Sequence, residues 1–191
     1  MSSVRIAVWV VLAGLALPGP AWAALPGRDR LNAVKDAARG AVGELTAEIT
    51  VHTRTFVADY STNDRYMIEA ARIARRRSSS PRVQAFSDTL AADARMTEIE
   101  LQQLLRTYNV DATLASSLDS RRGGMIGELN TTPAFTRRYL EQQVLIQKEQ
   151  RILLRRYAHS GRIVAVKQFA ERRLHKVDEF LSTLQHLQHG S

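Results

Sequence analysis

FVADYSTNDRYMIEAARIARRRSSSPRVQAFSDTLAADARMTEIELQQLLRTY, residues 56–108, decides the fold. Phe56, Tyr60, Asn63, Met67, Ala70 and Ala74 recur at intervals of three and four, the spacing that puts side chains on one face of an α-helix. That run stops at Ser78-Ser79-Ser80, and Ser80-Pro81 opens the next. A serine hydroxyl can accept from an orphan amide of the first turn, and proline's fixed φ suits the first helical position. Val83, Phe86, Leu90, Ala94, Thr97, Leu101, Leu104 and Tyr108 then line one face. So short a break between two long amphipathic helices makes them an antiparallel pair.

The same pattern extends in both directions. Upstream, Leu31, Val34, Ala38, Val42, Leu45 and Ile49 predict a further helix, weakened by Gly40 and Gly43 at about 1 kcal/mol each relative to alanine. Downstream, Phe135, Tyr139, Gln142, Ile146, Glu149, Leu153 and Tyr157 predict a third bundle helix, with Thr132-Pro133 as its expected start. Ser160-Gly161 is its expected stop, the glycine taking the left-handed conformation that ends helices. Ile163, Val166, Ala170, Leu174, Val177, Leu181 and Leu184 predict a fourth. Between Asn109 and Thr131 the pattern loosens, and so long a link calls for a short helix crossing over the bundle. The expected fold is all-α: an antiparallel four-helix bundle with an additional N-terminal helix and a short crossover helix. Tyr60, Tyr139 and Tyr157 are expected at the core edge, with hydroxyls reaching the surface.

The first residues read as an export signal. Arg5 precedes the apolar run Ile6 to Leu17, a Pro18-Gly19-Pro20 break and the small-x-small triplet Ala21-Trp22-Ala23. About 12 apolar residues are too few to cross a hydrocarbon core that needs ~20. The expected division is a signal peptide over residues 1–23, a linker and helix over 24–52, and the bundle over 53–189. The mature chain is then periplasmic or secreted, with no stable membrane span. There is no cysteine, so stability rests on packing.

The net charge is +8, and removal of the signal leaves +7 because Arg5 is the only charged side chain before Ala24. Such a surplus draws polyanions, and with an exported chain the expected partner is an anionic envelope component. Nucleic acid is disfavoured by export and by the lack of an aromatic and basic platform. The cluster Arg72-Arg75-Arg76-Arg77 falls at a helix C-terminus, where cations offset the partial charge of unpaired carbonyls. Nucleophilic catalysis has no support, since cysteine and a Gly-x-Ser-x-Gly elbow are both missing.

Phe56-Val57, then Ile68-Glu69-Ala70-Ala71-Arg72-Ile73-Ala74, then Ser79-Ser80-Pro81-Arg82-Val83-Gln84-Ala85-Phe86 resemble the bacterial family called domain of unknown function 4142. The resemblance extends through Asp93, Tyr139-Leu140 and Ser160-Gly161. It implies a ferritin-like, exported bundle and, by analogy with carboxylate bundles, a metal site. Carried over residue by residue, only Glu69 and Asp93 match that site. Met67, Ala94, Gln147 and Phe180 stand where the family pattern has ligands, and neither alanine nor phenylalanine can donate to a metal.

The resulting expectation is a non-catalytic structural or binding protein with no cofactor, its interior filled by hydrocarbon and aromatic groups. The alternative is a metal-binding or redox bundle holding Fe, Mn or Zn through Glu69 and Asp93, or through the four-residue ladder Glu171, His175 and Glu179. Glu69 sits beside the Met67 and Ala70 face and is expected to pair with another helix. The ladder is otherwise expected to pair with Arg172, Arg173 and Lys176, as exposed helix faces commonly do. The stripes leave oligomeric state open.

Overall fold

The computed structural model describes residues 27–189, with side chains over 52–189. The export signal expected over residues 1–23 lies outside the described residues, as do the side chains of the Leu31 to Ile49 stripe. Five helices follow one another: α1 Gly27–Arg77, α2 Pro81–Thr107, α3 Ser120–Thr131, α4 Phe135–Ser160 and α5 Val164–His189. Among the described residues, 27–43 are helical and belong to a unit separate from the bundle, which is built from the chain beyond. Helical backbone runs through both apolar stripes of α1 with no break between them. Among the described residues no helix is long and apolar enough to cross a membrane.

Local chemistry sets most of the boundaries. Ser80 caps α2 by accepting from the Val83 amide, with Pro81 behind it as the spacing predicts. Asp119 caps α3, its carboxylate accepting from the Arg122 amide at 2.7 Å. The cost of partly burying Asp119 is outweighed by that bond and by the guanidinium of Arg122, so its carboxyl is held below the usual range. Two expected boundaries need correction. Thr132 does not start α4 but closes α3, its amide donating to Glu128 O, and Pro133 follows a helix end as prolines often do. Gly161 has φ −62° and ψ 138°, extended rather than left-handed. Its need for glycine is steric: a Cβ there would lie 2.4 Å from both the Tyr157 Cε1 and the Tyr157 carbonyl oxygen.

Cross-helix pairs give the topology. Moving up α1, Thr53 meets Tyr157, Asp64 meets Gln150 and Tyr66 meets Gln142, so α1 and α4 run antiparallel. Phe86 meets Phe180, Asp93 meets Arg173 and Glu100 meets Arg172, so α2 and α5 do too. Two helical hairpins are thus joined by one long crossover over residues 108–134. Arginines of α1 fasten that crossover. Arg54 pairs with Asp111, Arg65 donates to the Ala115 carbonyl at 3.1 Å, and Arg77 donates to the Thr132 carbonyl at 2.8 Å while covering the Phe135 ring.

The core is in two parts. One apolar cluster gathers Met67, Phe86, Leu90, Leu129, Tyr139, Ile146, Phe180 and Leu184. The other gathers Phe56, Tyr60, Leu101, Leu154, Tyr157, Val166, Phe169 and Val177. Polar residues separate them on three of the long helices, Asn63 and Asp64 on α1, Thr97 and Glu98 on α2, and Gln147 and Gln150 on α4, while Arg173 enters from α5 between Ala170 and Val177 of the second cluster. An unbroken hydrocarbon interior, expected from the stripes, is therefore corrected at mid-height. The tyrosines need correcting as well, since Tyr60, Tyr139 and Tyr157 are each at most 1% exposed. The Tyr157 hydroxyl is buried because Thr53 is placed to bond it at 2.8 Å.

Candidate functional site

The mid-height layer is the most polar part of the interior. Arg173 is the cation that reaches into it from α5. Its Nη1 donates to Asp93 Oδ1 at 3.0 Å, its Nη2 to Asp93 Oδ2, and its Nε to the Tyr60 hydroxyl at 3.2 Å. The two charged side chains are only 15% and 17% exposed. This is the two-pronged guanidinium-carboxylate geometry that makes the strongest ion pairs. Burial by itself would push the guanidinium's pKa down, but Tyr60 and Asp93 beside it more than reverse that, so Arg173 stays charged. Burial pushes the Tyr60 hydroxyl up, away from ionisation.

Asp64 lies across the layer without such a partner. It is 1% exposed. Its Oδ1 accepts from Gln150 Nε2 at 2.9 Å, and its Oδ2 has no hydrogen-bond partner among the described residues. Burial drives its pKa well up, and Glu98 and Asp93 add to this, against a smaller opposing pull from Arg173 and the Gln150 bond. The neutral acid is the form this environment favours. Asn63 Nδ2, Glu98 Oε1, both amide atoms of Gln143, and the side-chain oxygens of Gln147 and Gln150 also lack a partner among the described residues. Polar atoms buried in this way are ordinarily satisfied by internal water, and a lining this polar can hold it.

A second set of bonds ties the layer to the crossover. Arg122 of α3 is 7% exposed, and its Nε donates to Asn63 Oδ1 at 2.8 Å. It also meets Asp119 and, at 3.3 Å, Glu149 of α4. Tyr66 donates to Gln142 at 2.6 Å, and Gln142 in turn donates to Glu128 of α3 at 2.9 Å. The crossover thereby fixes the positions of α1 and α4 where their polar residues turn inward.

The residues singled out from the sequence do not converge. Glu69 is half-buried on the flank of α1, paired at 2.8 Å with Arg72 of its own helix rather than with another helix. Asp93 is in the layer, held by Arg173. Glu171, His175 and Glu179 are all exposed on α5. Of the ion pairs expected along that ladder only Lys176 with Glu179 forms, at 2.9 Å, because Arg172 and Arg173 cross to Glu100 and Asp93 of α2.

The match of most of the helical span to a known sequence pattern settles the family. The model of a domain of unknown function, DUF4142, covers residues 38–187. The chain belongs to the DUF4142 family. No curated protein and no solved structure matches it.

The metal site that ferritin-like carboxylate bundles suggest for a DUF4142 protein does not fit the residues present here. Every one of the five histidines is exposed, so no imidazole reaches the layer. Of the two carboxylates that match, Glu69 pairs with Arg72 on the flank of α1, and Asp93 commits both oxygens to a guanidinium, whose fixed charge opposes a cation beside it. Among the described residues no three His, Cys, Asp or Glu side chains are grouped so as to hold a metal ion.

Asp64, Glu98, Gln150 and Arg173 of the layer were missed in the sequence, although a signal for them exists. Val166, Ala170, Arg173 and Val177 follow the 4-3-4 spacing of a buried stripe, as do Tyr60, Asp64 and Met67, and Ala94, Glu98 and Leu101. Reading Leu174 in place of Arg173, and Glu149 in place of Gln150, turned Arg173 and Gln150 away from the buried face, although Asn63 and Thr97 already stood on the predicted stripes.

Proposed function

We propose that this DUF4142 chain is an exported, ferritin-like helical bundle of the periplasm or cell envelope, with a non-catalytic binding or structural role and without a metal centre. The observation that carries the reading is the Arg173–Asp93 pair. Where a carboxylate bundle would place a cation between its helices, this chain supplies the positive charge from its own side chain. Two antiparallel hairpins joined by one long crossover are the connectivity of ferritin-like bundles and support that part of the reading. The leader-like first 23 residues support export, and the surplus of arginine supports attraction to an anionic envelope partner.

Elemental analysis of the mature chain, purified without an affinity tag, tests the interior. The expected result is no stoichiometric Fe, Mn or Zn. A stoichiometric metal lost in Asp93→Ala or Glu69→Ala would overturn it in favour of a metal or redox protein. Binding to vesicles containing anionic lipid tests the surface, with affinity expected to fall steeply as salt rises.

A further inference from the structure

The arginines that end α1 do not all do the same work. Arg77 is consumed in holding the crossover, donating to the carbonyls of Leu129 and Thr132. Arg72, Arg75 and Arg76 instead line a cleft of ≈ 290 Å³ between α1 and α2, and Arg95 faces them from α2. The α1 positions follow the 3-4 spacing of one helix face, so the three guanidinium groups rise along a single wall. Ala71 and Ala91, each 3% exposed, form part of the floor. Their small size leaves room between the walls.

Charge in the cleft is unbalanced. The lining holds four arginines against one carboxylate, Asp88, which pairs with Arg75 at 2.7 Å. Arg72 pairs with Glu69. Arg76 and Arg95 have no ion-pair partner among the described residues, although both belong to the same lining. Two other clefts, larger at ≈ 460 and ≈ 490 Å³, have one arginine each. Size does not distinguish the Arg76 cleft. Its concentration of forked donors does.

We infer that this cleft is a binding site for a phosphate-type anion. Guanidinium forks match phosphoryl oxygens two at a time, and several forks around one small cavity suit a tetrahedral group carrying more than one acceptor oxygen better than they suit a lone carboxylate. The inference rests on the anionic-partner reading above and gives that partner a chemistry and a place. A lipid headgroup phosphate and free phosphate present the same oxygens to these forks, and the experiment distinguishes them.

The test compares the mature chain with Arg76→Gln/Arg95→Gln. Neither side chain is in an ion pair among the described residues, so the melting temperature should fall only slightly, by the loss of one cation at the C-terminus of α1. The control, Arg155→Gln/Arg156→Gln, removes the same charge from exposed positions on α4. Those residues lie beside Tyr157, at the end of the bundle opposite the cleft. The probes are vesicles of phosphatidylcholine with and without phosphatidylglycerol, and inorganic phosphate or pyrophosphate alone. Loss of two charge-assisted donors is expected to weaken binding about tenfold or more in the cleft variant, and much less in the control. Binding of phosphate alone, with competition against vesicles, identifies a free anion as sufficient. Binding of phosphatidylglycerol vesicles alone identifies the headgroup as the source. Equal loss in the two variants overturns the cleft while leaving the basic-surface reading intact. No binding of any probe by the mature chain overturns both.

Discussion

Replacing Asp64 by asparagine should remove a pH dependence from the stability of the bundle. In the folded chain the carboxyl has one oxygen bonded to Gln150 and one with no partner among the described residues, and burial raises its pKa well above the ordinary aspartate range. The unfolded chain has an ordinary aspartate at this position. Between the unfolded and the folded pKa the native state therefore holds a proton that the unfolded state has released. Stability must fall as pH rises through that window, be unaffected by this group below it, and level off above it. One proton sets the slope at about 1.4 kcal/mol per pH unit. The asparagine does not titrate, keeps an oxygen to accept from Gln150, and places an amide donor where Oδ2 lacks one. All other groups are common to both proteins, so the difference between the two stability curves isolates this site. Urea unfolding followed by circular dichroism from about pH 4 to about pH 7 should show D64N gaining on the wild type as pH rises, by up to that slope. Parallel curves, or a D64N chain that loses ground toward neutral pH, would show that Asp64 is charged in the fold and refute the reasoning.

Two further outcomes follow from the same interior. Arg173→Met leaves Asp93 and the Tyr60 hydroxyl without their donor and should cost about 3 kcal/mol by urea unfolding, whereas Arg173→Met/Asp93→Leu should recover much of the loss because no lone charge stays buried. A double variant no more stable than the single one would show that the pair does not act as a unit. Gly161→Ala pushes a methyl into the Tyr157 ring and carbonyl and should cost about 1–3 kcal/mol, read as a lowered melting temperature. An unchanged melt would mean that the α4–α5 turn shifts freely.

The helices were legible because each offsets the cost of ordering its backbone with a stripe that must be buried, and burial on one face leaves a period in the sequence. Phe86, Leu90, Ala94 and Leu101 could not be spaced as they are and belong to a strand. The Ser80-Pro81 start was legible for a similar reason, since hydroxyl and ring act on neighbouring amides and need no tertiary partner. Thr132-Pro133 carries the same two residue types, yet its threonine closes α3. A cap motif marks a helix boundary without saying which side of it is helical. Gly161 shows the reverse limit: the residue type was read correctly as special, but the cause is Tyr157 filling the space a Cβ would need, a contact that spacing does not encode.

The polar layer was hidden by a stronger version of that difficulty. Whether Arg173 or Leu174 faces inward is a rotation of about 100° on the helix, too small for a stripe of four-residue steps to decide. What decides it is Asp93 on another helix: a buried arginine is tolerable only opposite a carboxylate, so each residue of the pair places the other. Such a pair cannot slide along its helix, or meet an apolar neighbour, without leaving a charge unpaired. Arg122 makes the same demand of Asn63, Asp119 and Glu149 between the crossover and the bundle. Hydrophobic stripes would tolerate several registers of four helices, and these two arginines select one. The layer is accordingly the part of the interior that reads least from local pattern and most constrains how the helices meet.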